Sequence, residues 1–267
     1  MPHGYSTVGR VRRIGENVAS EWRGRRVFGF HPHASAYCTS PEKLIPLSDE
    51  VASRAGLFIP NLETAFNLVM DGRPLIGERV VVFGLGVVGL LTTRLLSQHP
   101  LNQLVVFDRK ENRRQVACRL GADVATPGSE IDRWRVLNNS DQVSTEGADL
   151  VYELTGNPEV LNAAIEVCGY DSRIVVGSWY GSKTAEVKLG GRFHRRRMSI
   201  ISSQVSTISP QLRGRWSKGR RLQSVINQLS SVPWEDLITH EYAIEDAHKA
   251  YDSLTSEKPG IQYIFKY

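Results

Sequence analysis

No run of apolar residues in this chain approaches the eighteen or so that a membrane span needs, which excludes a helical membrane protein. The first residues, MPHGYSTVGRVRRIG, contain no apolar core of the kind a secretory signal carries. Cysteine is scarce: Cys38, Cys118 and Cys168 are widely separated, with no Cys-x-x-Cys among them. Such a set builds neither a disulfide frame nor a zinc knot, and it suits reduced thiols in a cytoplasmic protein. Charge of one sign is not dominant either. The net charge is +5, the composition is 41% hydrophobic and 23% charged, and this is the balance of an ordinary globular chain. Its 267 residues suffice for one large domain or two modest ones.

The most informative stretch is Arg79–Asp108, RVVVFGLGVVGLLTTRLLSQHPLNQLVVFD. Val80–Phe83 is an unbroken apolar run, as expected of a strand buried on both faces of a parallel sheet. Gly84-Leu85-Gly86-Val87-Val88-Gly89 follows at once, then an amphipathic segment to Ser97 that His99-Pro100 stops. A second apolar strand, Leu104–Phe107, ends in Asp108. Gly84 suits a tight strand-to-helix turn, Gly86 lets main-chain N–H groups approach a pyrophosphate, and Gly89 lets helix and strand pack closely. The helix N-terminus, from Val87 and Val88, offers unpaired N–H groups and a positive dipole end to phosphate. Asp108 is placed to accept hydrogen bonds from the adenosine ribose. A lone Gly-x-Gly-x-x-Gly is weak evidence, but strand, helix and terminal acid agree here. The stretch is read as a dinucleotide site. The carboxylate of Asp108 favours NAD over NADP, while the neighbouring Arg109 and Lys110 offer charge to a 2′-phosphate.

Before this stretch the chain reads as all-β. Val8–Val11 and Arg25–Phe30 have strand character, and Tyr37–Thr39 and Leu44–Leu47 continue the rhythm between prolines. Together they make a partial small barrel or sandwich that is marginal alone. Val51–Asp71 turns helical, with Asn61 as N-cap. After Asp108 the pattern predicts a helix at Glu111–Leu120 and a strand at Val124-Ala125. A weakly patterned stretch, Pro127–Glu146, precedes a strand at Asp149–Leu154. A helix at Pro158–Val167, strands at Arg173–Gly177 and Met198–Ser203, and a helix at Lys218–Ser230 complete it. Such alternation builds a doubly wound parallel sheet. The tail reads strand, helix (Ile244–Leu254), turn at Pro259-Gly260 and strand (Ile261–Tyr267). It is too short to be a domain and is expected to return to the N-terminal β region.

This organisation resembles the medium-chain dehydrogenase/reductase superfamily, the alcohol-dehydrogenase-like proteins. The matching pieces are His3–Val11, Arg25-Arg26-Val27, Pro46-Leu47, Thr64-Ala65, Ile76–Val80, the glycine loop, Leu120–Asp123, Leu154-Thr155-Gly156, Ile238–His240 and Ala247–Leu254. Ser178–Gly181, the FHRRR run and Ser202–Val205 look like the subgroup that includes bacteriochlorophyllide a dehydrogenase. The resemblance implies an α/β fold, a doubly wound Rossmann sheet over residues 59–233. A small GroES-like β domain is formed by both chain ends, 1–58 and 234–267, and lacks its N-terminal part. It further implies cofactor contacts at Thr64, Arg109, Thr155 and Gly177.

The departures are as specific. Gly4-Tyr5-Ser6 stands where the family has Gly-His-Glu, and His3 is one position early, which on a strand turns a side chain to the other face. No ligand set for a catalytic zinc is legible, so no zinc is expected. Hydride chemistry then needs a donor to the substrate oxygen. Tyr5 and Ser6 sit where the resemblance puts the substrate cleft, and His33, with His31 beside it, lies on the same β region. Tyr180 follows a sheet strand. The arginine-rich runs Arg192–Arg197 and Arg213–Arg221 lack interleaved aromatics on a recognition helix, and read as solvated faces near an anionic cofactor, not a nucleic-acid surface. The expectation is a zinc-independent NAD-linked oxidoreductase of an alcohol or carbonyl, forming a homodimer through Met198–Ser203 and the segment near Glu186–Leu189. The alternatives are a nucleotide-binding protein with a degenerate site and no catalysis, or a non-functional fragment.

Overall fold

A computed structural model describes residues 3–128, 147–254 and 260–267. The chain divides into two compact units, one made of Met1–Asn61 with Leu222–Tyr267, the other of Leu62–Arg221.

The second unit is a six-stranded parallel sheet. Its strands are β4 (Arg79–Phe83), β5 (Gln103–Phe107), β6 (Val124–Thr126), β7 (Ala148–Glu153), β8 (Cys168–Val176) and β9 (Ser199–Ser202). Their order, β6-β5-β4-β7-β8-β9, reverses direction at β4. That reversal makes a topological switch point, and ligands of open α/β sheets bind at the carboxyl ends of the strands there. The apolar runs seen in the sequence are buried on both faces: Val80, Val81 and Val82 are fully inaccessible. On one face Val81, Phe83, Val105 and Phe107 pack with Ile165, Ile174 and Met198, the rings of Phe83 and Phe107 stacking at 4.9 Å. Helices α3 (Val87–Leu96), α4 (Glu111–Arg119) and α5 (Val160–Val167) supply the crossovers.

The first unit carries an antiparallel sheet of β1 (Thr7–Arg10), β2 (Arg26–Gly29) and β3 (Leu44–Pro46). A separate parallel pair is formed by β10 (Ile238–Ala243) and β11 (Gln262–Lys266). The chain ends meet here as the tail pattern predicts, but not in one sheet. Arg54, in the short helix α1 (Ser53–Gly56), bonds Glu235 at 3.1 Å and Glu241 at 2.6 Å. Phe58 packs on Trp234 with ring centroids 4.6 Å apart, and His33 meets Phe265 edge-on at 4.9 Å. Helix α6 (Ala247–Leu254) lies against β10.

Several expectations need correction. Tyr37–Thr39 is not a strand: the Tyr37 ring stacks on His31 at 3.7 Å. Asn61 is not an N-cap, because α2 (Ile59–Gly72) starts two residues earlier. Pro60 suits the first turn of a helix, where its missing N–H costs nothing. Strand β8 begins at Cys168, well before Arg173, and tolerates a left-handed Asp171 (φ 55°) on the way. Glu186–Leu189 is not a strand either. Of the stretch Pro127–Glu146, residues 129–146 lie outside the described residues, as does Pro259.

Candidate functional site

The glycine loop joins β4 to α3 at the switch point, and each glycine is required for a different reason. Gly84 has φ 92°, a left-handed value that disfavours any side chain. A Cβ there would also meet the main chain of Leu154 at 2.7 Å. At Gly89 a Cβ would sit 1.9 Å from Gly84 O, so helix and loop are in main-chain contact. Gly86 is the opposite case, since a Cβ would meet nothing within 4 Å. The space over Gly86 is open, and Gly86 is the N-cap of α3 without a capping side chain. Leading N–H groups of a helix have no intrahelical acceptor, so those of Val87, Val88 and Gly89 form an anion cradle with room above it. Gly84 N–H donates to Phe107 O and Leu154 N–H to Phe83 O, both at 2.8 Å, which anchors the turn to the strands on either side.

Asp108 closes β5 and fixes the same loop. Its Oδ2 accepts from Leu85 N–H at 2.7 Å and its Oδ1 from Lys110 N–H at 2.8 Å. The Arg113 guanidinium stands 3.9 Å from Oδ2. Each carboxylate oxygen keeps a further lone pair for a ligand hydroxyl. Arg109 is exposed beside it. The other half of the sheet carries Thr155 after β7 and Gly177 after β8. A Cβ on Gly177 would meet Leu68 at 2.5 Å and Leu154 at 2.6 Å, so α2 and the β7 loop close over it. Thr64 is half-buried on α2.

A polar group that sequence reasoning passed over ends β7. Glu153 is fully buried. Its Oε1 accepts from Thr155 N–H at 2.8 Å and from the Thr155 hydroxyl, and its Oε2 from the Tyr180 hydroxyl. Burial, and then the Glu153 carboxylate, push the Tyr180 phenol well above its ordinary range. Ser178 Oγ accepts from Gly156 N–H at 2.8 Å, joining the loops after β7 and β8. The available signal was an acid closing an apolar strand, the same pattern that marked Asp108.

The expected catalytic residues lie in the first unit, where His33 N–H donates to His3 O at 2.8 Å beside Tyr5 and Ser6. The Tyr5 side chain is exposed and its hydroxyl donates to Asn61 Oδ1 at 3.3 Å. Ser6 Oγ donates to Leu57 O at 2.7 Å. His33 lies against Gly4, where a Cβ would meet its ring at 2.5 Å, and its pKa is lowered by burial and by nearby His3. No hydrogen bond joins these three side chains to one another. Among the described residues, no group of three or more His, Cys, Asp or Glu side chains is placed to hold a metal ion.

A parallel sheet with a glycine cradle at its switch point and an acid closing the next strand defines a Rossmann-type α/β protein of the dinucleotide-binding architecture. Residues 87–222 match the family model of the zinc-binding dehydrogenases, and the chain belongs to that family. It is 28% identical over 228 residues to D-xylulose reductase of Saccharomyces cerevisiae, covering 84% of this chain and 60% of that protein. It is 26% identical over 214 residues to (R,R)-butanediol dehydrogenase of Bacillus subtilis, covering 69% and 60%. The chain thus spans about 60% of the length of these relatives. Among solved structures it is similar in fold to L-idonate 5-dehydrogenase of Escherichia coli, with TM-score 0.78, 16% identity, and 99% and 81% of the two chains covered. An alcohol dehydrogenase of Escherichia coli CFT073, solved with NADH, superposes with TM-score 0.77 at 20% identity over 97% and 82%.

Proposed function

We propose that the chain is an NAD-linked oxidoreductase acting on an alcohol or carbonyl compound, without a catalytic zinc. The observation that carries the reading is the open space over Gly86 between two glycines, Gly84 and Gly89, that tolerate no side chain. A glycine conserving only main-chain turn geometry would not need empty space above a helix N-terminus, whereas a pyrophosphate would. The names of the relatives, all reductases or dehydrogenases of small hydroxyl compounds, support the reaction class.

The nicotinamide of a bound cofactor supplies or accepts the hydride. The chain's own part is to hold the pyrophosphate on the N–H groups of Val87–Gly89, to fix the loop through Asp108, and to present Asp108 to the adenosine ribose. Exposed Arg109 stands beside that carboxylate, and the balance of the two favours NAD over NADP. Thr155, Gly177 and Thr64 line the remaining half. Zinc independence rests on the sequence, where Gly4-Tyr5-Ser6 stands in place of the Gly-His-Glu of the resembling family.

The test is a fluorescence titration with NADH of the wild type and of Gly86→Val. A Cβ at this position meets nothing in the protein, so the variant is expected to fold and to lose NADH binding by more than tenfold, the scale of a blocked main-chain approach. Unchanged affinity overturns the reading. Oxidation of NADH with D-xylulose, or reduction of NAD with (R,R)-butanediol, after chelator treatment then separates a zinc-free enzyme from a nucleotide-binding protein without catalysis.

A further inference from the structure

The buried Glu153 is the feature that cofactor binding as described above leaves unexplained. Its carboxylate accepts three hydrogen bonds, from Thr155 N–H, the Thr155 hydroxyl and the Tyr180 hydroxyl. The Thr155 main-chain N–H can only donate, so Oε1 is an acceptor, and the Thr155 and Tyr180 hydroxyls complete the set. All three donors are neutral. Among the described residues Glu153 makes no ion pair: Lys183, the cation of the same loop, places Nζ on Gly156 O at 2.8 Å and is exposed. A buried carboxylate whose partners among the described residues are neutral is costly to keep charged. The group stands at the end of a strand beside the switch point, where ligands of such sheets bind.

The position of the group narrows what it serves. Asp108 closes β5, on the adenosine side of β4; Glu153 closes β7, on the other side. In this strand order each half of the sheet takes one mononucleotide half of the cofactor. Gly84 of the pyrophosphate loop is held within contact of Leu154 and Thr155, the two residues that follow Glu153. The ring of the second mononucleotide is the part whose charge changes in the reaction: cationic when oxidised, neutral when reduced.

We propose that Glu153, positioned by its hydrogen bonds from Thr155 and Tyr180, is the fixed counter-charge for the oxidised nicotinamide ring at the carboxyl ends of β7 and β8. This rests on the cofactor reading above. A fixed negative charge at that place binds the oxidised form more tightly than it otherwise would be and leaves the reduced form little affected. The bound couple is thereby shifted so that the reduced cofactor is the stronger hydride donor, and the site favours carbonyl reduction.

The experiment measures dissociation constants of NAD and NADH for the wild type, Glu153→Gln, Glu153→Asp and Tyr180→Phe. Removing one unit charge from a low-dielectric site should raise the ratio Kd(NAD)/Kd(NADH) by about tenfold or more in Glu153→Gln. Glu153→Asp, which keeps the charge, should stay nearer the wild type. Tyr180→Phe removes a donor but not the charge, and the ratio should hold or fall. An unchanged ratio in Glu153→Gln overturns the proposal, and so does an equal rise in Tyr180→Phe, which would mark a purely structural role. Should Glu153→Gln fail to fold, the wild type decides with ADP-ribose, which lacks the ring. NAD binding more tightly than ADP-ribose supports the counter-charge, and NAD binding no more tightly overturns it. Failure of the wild type to bind either cofactor would instead bring down the cofactor reading itself, and the two failures are distinct.

Discussion

Tyr152 lies in the middle of the sheet, fully buried, and its hydroxyl has no hydrogen-bond partner among the described residues. Burial raises its phenol pKa far above the ordinary value, so the group stays neutral and simply lacks a partner. The hydroxyl occupies the space under Gly72, where a Cβ would meet it at 2.1 Å. An unpaired buried hydroxyl costs about 1–3 kcal/mol, so Tyr152→Phe is expected to stabilise the protein by about 1 kcal/mol in denaturant melts. Asp108 behaves differently because its carboxylate has two tasks. Asp108→Ser takes away the acceptor of Leu85 N–H as well as the charge that opposes a 2′-phosphate. Affinity for NADH should drop and the NADPH/NADH preference should move toward NADPH. An unaltered preference in paired titrations would assign the choice to Arg109 or its neighbours.

At the scale of elements, β9 is one of the two edge strands of the parallel sheet, β6 being the other. Its residues Ser199, Ile200 and Ser202 are exposed, and Ile200 keeps 39% of its surface accessible. An edge strand with unpaired main-chain groups pairs readily with another copy, and a two-fold arrangement closes without open growth. A homodimer joined along β9 is the expected assembly. Ile200→Lys should shift it toward monomer in sedimentation velocity, and a dimer indifferent to that charge places the interface elsewhere. The element meant to assist it, Glu186–Leu189, is not a strand, so β9 would act without a second strand from that segment. Helix α2 shows the same lesson in its start. The Asn61 signal was misleading because the helix begins at Ile59, and Asn61 instead joins Tyr5 and Gln262. Within the second unit, α2 is anchored by Arg221, which is almost wholly buried and reaches Glu63 Oε1 at 3.0 Å and Asn67.

For the whole molecule, pH acts through its positive charge and through His33. The net charge of +5 grows as histidines protonate. Burial, and then the neighbouring His3, hold the folded His33 imidazole below its ordinary range. The unfolded chain therefore takes up a proton as pH falls through about 6.5, while the folded chain does not. Stability is present above that value and declines as the pH drops toward the lowered folded pKa. The thermal midpoint should fall between pH 7 and pH 5, and His33→Gln should remove part of that fall. An identical pH dependence in the variant would assign the decline to other groups.

By itself the sequence determined the parallel sheet, its glycine loop and the acid that closes β5. These follow from local patterns: apolar runs flanked by glycines, and a carboxylate at a strand end, specify their own surroundings within some thirty residues. The same local character explains why the strand–loop–helix–strand geometry from Gly84 to Asp108 was legible. Only the tertiary structure decided which polar groups meet. Glu153 and Tyr180 are separated by a helix and a strand, and only the parallel pairing of β7 with β8 brings the loops after them together. The side-chain partners of Tyr5, Ser6 and His33 are Asn61, the Leu57 carbonyl and the Phe265 ring, all distant in sequence. Side-chain partners across a fold depend on strand order and on which backbone approaches which, and no pattern local to the sequence encodes that.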